Sequence, residues 1–544
     1  MRNSLACLVA VLLGAVLFAL SFPNFISAGG FPFFAWFALI PVFWLIARSS
    51  IKMCVFWGAL YGLSAYSLFN YWLTTFHPLA GVIVGVVYLV YFAVLFPLLK
   101  AAVVMFPKHG YFLQWVLWMC FEYVRTLGFL GYSYGVIGYS QWNVLSVIQI
   151  ADVFGVWGVS ALVVFPSVWL AAGSWGTRLC PSPQQGLHLY VRRSIETMRT
   201  SSLLTRFFPF ALWLATLVVT LVYGFIAQAD YTDAKHVRVS MIQQNDDPWI
   251  GGIVQYRKNF EKLKRLSDTA LAQKPDMVVW SETAFVPRIY WHKTYRDDEA
   301  SWLLVKDLLD YLQSKDVPFV IGNDDARREP DKNPSVVEQY RVDYNGVLVF
   351  QKGEIVDQYR KVHLVPLTEY FPYRKQLPFV YNILEKADTH FWEKGDKLTV
   401  FNVNGVKFST PICFEDTFGY LSREFTQNGA ELIVNLTNDA WAKSLPAQMQ
   451  HLSMAVFRSV ENRRSMTRAT ASGQTCAIDP NGRILAMAEP FTEAQITTSV
   501  PLSSEISFYT RHGDWLPRVF LGAAAVLFVW GIVRKLWGKW RKTS

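Results

Sequence analysis

The chain has 544 residues, 52% hydrophobic and 17% charged, where an ordinary soluble protein carries about 25% charge. That balance excludes a single soluble domain, and 21 Trp, 25 Tyr and 40 Phe exclude a solvated, disordered chain. The net charge of +10 raises nucleic acid as a partner, but there is no zinc-finger spacing, RNP-like motif or basic recognition helix, so no nucleic acid is expected.

The apolar residues fill the first 230 positions and return near the C-terminus. Crossing a bilayer takes about 20 apolar residues. The segments that qualify are 5–21, 31–47, 53–73, 80–106, 111–126, 154–173, 207–227 and 516–533. The first also has features of a signal peptide, with Arg2 before the apolar run and Ala28 after a small-residue site, but cleavage would break the charge pattern. With a cytoplasmic N-terminus, Arg2, Arg48, Lys52, Lys100, Lys108, Arg178, Arg192, Arg193, Arg199 and Arg206 fall inside, as do Arg534, Lys535, Lys539, Arg541 and Lys542. The outer short loops then carry little beyond Arg125, which follows the positive-inside rule. The reading is a polytopic α-helical membrane domain over 1–230 with about seven helices, and a last transmembrane helix with a basic cytoplasmic tail over 511–544. Residues 178–205 read as a cytoplasmic loop. Glu122, beside Tyr123 and Arg125, reads as half of an interfacial pair, and the spans hold too few other ionisable groups for a transporter.

Residues 231–510 read as an outward-facing globular domain. Short β-rich runs recur at Val237–Gln243, Met277–Trp280, Pro318–Gly322, Gly346–Gln351, Lys407–Pro411, Leu432–Asn435, Thr475–Ile478 and Ile484–Ala488. Turn signals bound them, such as Tyr344-Asn345-Gly346 and Asp479-Pro480-Asn481-Gly482. Helical patterns at Tyr256–Gln273, Ala300–Lys315 and Leu445–Arg464 separate some of them, predicting a helix-covered sheet sandwich.

Six cysteines, at 7, 54, 120, 180, 413 and 476, form no CxxC pair or disulfide framework, and the nine histidines are scattered, so no metal or other cofactor is expected. Three reactive residues follow apolar strand-like runs, where active-site groups of α/β sheets gather: Glu282, Lys361 and Cys413. A carboxylate can take a thiol proton, an ammonium can stabilise an oxyanion and a thiolate can attack a carbonyl. Singly, each has a plainer reading: a helix-start carboxylate, a solvated loop charge and a small buried hydrophobe.

The words around them are more specific. Trp280-Ser281-Glu282-Thr283-Ala284, Tyr359-Arg360-Lys361-Val362-His363-Leu364-Val365-Pro366 and Pro411-Ile412-Cys413-Phe414-Glu415-Asp416 occur in this order. Residues 236–505 thereby resemble the nitrilase superfamily, whose α-β-β-α sandwich carries a Glu-Lys-Cys triad. With a membrane domain before it and one span after, the whole architecture is similar to the membrane-embedded apolipoprotein N-acyltransferase family.

The resemblance implies Cys413 as nucleophile, Glu282 as general base and Lys361 as the oxyanion-stabilising cation, with Glu369 and Glu415 in support. Glu415 equally reads as a salt-bridge partner of a nearby Arg. Trp249 matches loosely a Trp near the acyl site or else anchors at a surface; Trp441 and Phe414 are further substrate-binding candidates. Asn435, Asn438 and Asp439 read as scaffold, as do Arg458, Glu461 and Asn462. Two aromatic-basic stretches, Phe285–Tyr295 and Phe371–Leu384, read as lipid-headgroup arms or as ordinary packing segments.

The implied reaction moves an acyl chain from a membrane phospholipid, through a Cys thioester, to the α-amine of the N-terminal diacylglyceryl-cysteine of an apolipoprotein. The implied place is the bacterial inner membrane with the catalytic domain in the periplasm, acting as a monomer. The alternative is a membrane-tethered nitrilase-like amidase acting on small amides.

Overall fold

The computed structural model describes residues 2–76, 78–173, 203–330, 339–386 and 390–543. They divide into two compact units, Met1–Gln228 with Asp514–Ser544, and Ala229–Gly513. The predicted loop positions Arg178, Arg192, Arg193 and Arg199, and Cys180, lie outside the described residues.

Among the described residues of the first unit, four helices are long and apolar enough to cross a bilayer, at Ser4–Ser21, Leu79–Met105, Phe207–Ile226 and Trp515–Trp537. The other predicted segments form shorter or less apolar helices. Segment 31–47 is split into Pro32–Ala35 and Ile40–Arg48. Pro41 suits the start of the second piece, because N–H groups of a first turn have no intrahelical acceptor in any case. Segment 53–73 lies largely in Ile51–Phe69, segment 111–126 in Gly110–Val124 and segment 154–173 in Val156–Gly173.

Glycines set how closely these helices approach. A Cβ on Gly58 would lie 2.2 Å from the Phe92 carbonyl oxygen, and one on Gly62 2.3 Å from that of Tyr88. Only a side-chain-free residue lets helix Ile51–Phe69 lie so near helix Pro78–Met105. The latter exposes Val82, Val86, Val90 and Val94, an apolar stripe at helical spacing suited to lipid. Glu122 and Arg125 lie inside the protein rather than on its surface. Both are buried; Glu122 Oε1 accepts the Ile137 N–H at 3.0 Å, and Arg125 Nη1 donates to the Tyr88 hydroxyl at 2.7 Å and to the Tyr132 and Tyr134 carbonyls.

The second unit holds two sheets. Its strands among the described residues are β1 (His236–Gln243), β2 (Met277–Trp280), β3 (Phe319–Pro330), β4 (Gln339–Gln351), β5 (Glu354–Arg360), β6 (Val400–Val403), β7 (Val406–Ser409), β8 (Leu432–Thr437), β9 (Ser465–Thr470), β10 (Cys476–Ile478), β11 (Ile484–Met487) and β12 (Ala494–Pro501). One sheet has the order β12-β1-β2-β3-β4-β5, the other β11-β10-β9-β8-β7-β6.

Alternation along the strands explains their apolar character. Met277 and Val279 of β2 join a core shared with Phe408, Leu432 and Val434 of the other sheet, while Val278 and Trp280 point the other way into a cluster with Phe260, Leu263, Leu304 and Leu308. Those four lie on helices Ile253–Leu271 and Glu299–Gln313. Buried on both faces, β2 has no position for a polar side chain. On the other sheet, helix Leu445–Asn462, buried from Pro446 onward, packs against β9. The result is the helix-covered sandwich expected of a nitrilase-like domain.

Candidate active site

Cys413 stands at the end of a parallel strand pair. β7 lies beside β8, and Ile412 continues the pairing by bridging Leu436. At Cys413 the backbone then enters the left-handed region, φ +49°, and begins the tight turn Cys413–Thr417. A β-carbon there costs roughly 1–2 kcal/mol, so other contacts must hold the turn. Glu415 supplies them. Its buried carboxylate accepts the Ile412 N–H at 2.8 Å, the Val362 N–H at 2.8 Å, the His363 N–H at 2.9 Å and the Tyr359 hydroxyl at 2.9 Å. One side chain thus ties the cysteine turn to the segment just after Lys361. Burial pushes the Glu415 carboxyl up to about 7 against these donors.

Glu282 lies two residues past the end of β2 and is buried. Oε1 accepts the Asn345 amide at 2.8 Å and lies 3.4 Å from Lys361 Nζ, while Oε2 accepts the Asn438 N–H at 2.9 Å. Close packing of β3 fixes the backbone here: a Cβ on Gly322 would lie 2.2 Å from the Ser281 carbonyl oxygen and 2.7 Å from Glu282 Cα.

Lys361 follows β5, and its side chain is fully removed from solvent. Nζ donates to Glu369 Oε1 at 2.8 Å, and Glu369 Oε2 accepts the Val365 N–H at 2.8 Å. Burial opposes the ammonium, yet Glu369 and Glu282 outweigh it and raise the lysine pKa, so Lys361 is charged. Burial, with Glu282 beside it, raises the Cys413 thiol well above its ordinary value despite Lys361. The resting sulfur is therefore a thiol, and attack requires a base to take its proton as the bond forms.

Residues 238–509 match the carbon-nitrogen hydrolase family, and residues 14–169 match the apolipoprotein N-acyltransferase N-terminal domain. The chain is 44% identical to apolipoprotein N-acyltransferase 1 of Treponema denticola over 93% of both chains. It is 44% identical to apolipoprotein N-acyltransferase 1 of Treponema pallidum over 99% of both. The apolipoprotein N-acyltransferase of Geobacter metallireducens is 31% identical, over 97% of this chain and 95% of its own. The chain belongs to the apolipoprotein N-acyltransferase family.

In this family member the fold brings Glu282, Lys361, Glu369, Cys413 and Glu415 into one neighbourhood. The Arg partner considered for Glu415 is replaced by backbone N–H groups and Tyr359. Phe414 is buried against Phe418 and His363. Trp249 is 58% exposed, and its ring meets Trp441 edge-on at 4.9 Å. Arg458 and Glu461 form a buried ion pair at 2.9 Å within their helix. The two aromatic-basic stretches differ: Phe285, Ile289 and Trp291 are buried, whereas Tyr373, Leu377, Phe379 and Ile383 are exposed.

Sequence reasoning gave Asn345 no place in the site, and gave Asn438 and Tyr359 less than their part. Asn345 reads as a turn residue but sits inside β4, opposite Asp324 of β3. Tyr-Asn-Gly is a turn signal only where the chain reverses, and here long-range pairing with β3 and β5 keeps it extended. Asn438 acts through its backbone N–H, which no side-chain pattern marks. Tyr359 was visible only as part of the lysine word.

Proposed function

We propose that the chain transfers an acyl chain from a membrane phospholipid to the α-amine of the N-terminal diacylglyceryl-cysteine of apolipoproteins, through a thioester on Cys413. The observation that carries this reading is the strained Cys413 turn beside the Glu282 carboxylate and the Lys361 ammonium, in a chain of this family with apolar helices of membrane-spanning length.

In the first half-reaction Cys413 Sγ attacks the ester carbonyl while Glu282 takes the thiol proton. Lys361 stabilises the oxyanion of the tetrahedral intermediate. Collapse breaks the ester C–O bond, Glu282 returns the proton to the alkoxide and a lysophospholipid leaves. In the second half-reaction the neutral α-amine attacks the thioester, Glu282 takes its proton, and collapse forms the amide and restores the thiol. Glu369 keeps Lys361 in place, and Glu415 keeps the cysteine turn in place. Trp249, Trp441 and Phe414 form the apolar surroundings of the acyl group.

The reading extends to residues 1–230 and 511–544 as membrane domain and last helix, and 231–510 as the catalytic domain on the periplasmic side of the inner membrane, working as a monomer. The positive-inside charge pattern supports that orientation. The test is incubation of the full chain with acyl-labelled phospholipid and a synthetic diacylglyceryl-cysteine peptide. Lysophospholipid and N-acylated peptide in equal amounts are expected. Ammonia release from small amides with no peptide acylation would instead identify a tethered amidase.

A further inference from the structure

Behind Cys413 lies a group of buried charges with no part in the chemistry above. His451, on helix Leu445–Asn462, places Nε2 2.7 Å from Asp416 Oδ1 and Nδ1 2.9 Å from Asp439 Oδ1. Carboxylates only accept, so a ring bonded to one at each nitrogen carries a proton on both. Arg468 of β9 donates through Nη1 to Asp416 Oδ2, and its Nη2 lies 3.6 Å from Asp439 Oδ2. The side chains of Asp416 and Arg468 are fully buried and that of His451 nearly so, leaving solvent little part in their balance.

The two aspartates belong to different parts of the site. Asp416 lies in the turn that Cys413 opens. Asp439 directly follows Asn438, whose N–H holds Glu282 Oε2. Space around Asp439 is tight, since a Cβ on Gly473 would lie 2.7 Å from its Cβ. Asp416, Asp439 and Arg468 are charged groups that face His451; on its own helix Arg458 is held by Glu461, and Arg468 also lies within electrostatic reach of the Cys413 and Cys476 thiols.

We infer that His451 is a positioning residue for acyl transfer: as an imidazolium it ties the nucleophile turn to the loop that holds Glu282, and losing its proton releases that tie. The inference rests on the acyl-transfer reading. Burial disfavours the charged ring, but Asp416 and Asp439 outweigh it and push its pKa up to about 9. Burial opposes the charge on Lys361 but Glu369 and Glu282 outweigh it and raise its pKa, and burial raises that of the Cys413 thiol.

The experiment follows acyl-enzyme formation on the full chain in phospholipid–detergent micelles by quenched intact mass, from about pH 6 to about pH 10. Wild-type acylation should fall as pH rises through about 9. His451→Gln should acylate about 10- to 100-fold more slowly at neutral pH and lack that descending limb. A merely structural role would lower the active fraction without moving the limb, so an unchanged limb or a wild-type rate in His451→Gln overturns the inference. Should that variant not fold, Asp439→Asn serves: removing one carboxylate shifts the limb to lower pH, and an unshifted limb is equally contradictory. A wild type that never acylates overturns the acyl-transfer reading itself, whereas an acylating wild type with an indifferent variant overturns only the role of His451.

Discussion

The Glu415 carboxylate and the Ile412 N–H meet at 2.8 Å across the turn that carries Cys413. The same carboxylate also holds the Val362 and His363 N–H groups, so a single buried side chain sets the nucleophile and the lysine segment relative to each other. Strain at Cys413 persists because its surroundings over-determine it.

Removing that acceptor has a definite expected effect. Glu415→Ala leaves three backbone N–H groups and the Tyr359 hydroxyl without it, at about 1–3 kcal/mol for each group that finds no other partner. Thermal unfolding should shift down by the equivalent of at least ~2 kcal/mol, with acylation lost. Glu415→Gln should lose activity too, because its NH₂ would face donors.

The Lys361–Glu369 pair separates stability from chemistry. Lys361→Met leaves Glu369 and Glu282 buried without their shared cation, a loss of about 3–5 kcal/mol. Adding Glu369→Gln should recover much of the stability and none of the activity. Denaturant melts alongside acylation assays check this; recovery of both would mean that the lysine only maintains the fold.

Gly322→Ala tests how finely Glu282 is placed. The new Cβ meets backbone, 2.2 Å from the Ser281 oxygen, so the chain must shift at Glu282. Acyl-enzyme formation should slow by about 10- to 100-fold although no ionisable group has changed. A wild-type rate would show that the base tolerates displacement.

Folding stability should also report on His451. Its folded pKa of about 9 lies above an unfolded value near 6.5. The stabilisation is therefore fully present below about pH 6.5, and is lost as pH rises through about 9. It amounts to ~3 kcal/mol, from about 2.5 pH units at about 1.36 kcal/mol each. The fall in stability between those two ends, read from melting curves, should be larger by about that amount in the wild type than in His451→Gln.

Much of this molecule was legible from its residues. Runs such as Met277–Trp280 announce themselves because both faces are covered, and the Glu282 and Cys413 words follow such runs, whereas Lys361 follows β5, which is mostly exposed or half-buried. β9, with Ser465, Thr467, Arg468 and Thr470, does not read as a buried strand, since its polar side chains are matched by distant partners such as Asp416 and Pro501. The same holds for Asn345 and for the His451 group: their roles arise from long-range pairing, which no local pattern encodes. Cys476, set against Cys413, is a different case. Both are free, and β10 lies three strand spacings from β7, about 14 Å and well beyond the about 7 Å a disulfide spans.

The most direct test of the account is the intact mass of the full chain after incubation with phospholipid and no acceptor, with Cys413→Ala alongside. The wild type should gain one acyl group that hydroxylamine removes, and the variant none. No gain on the wild type, or the same gain on Cys413→Ala, would contradict a thioester on Cys413.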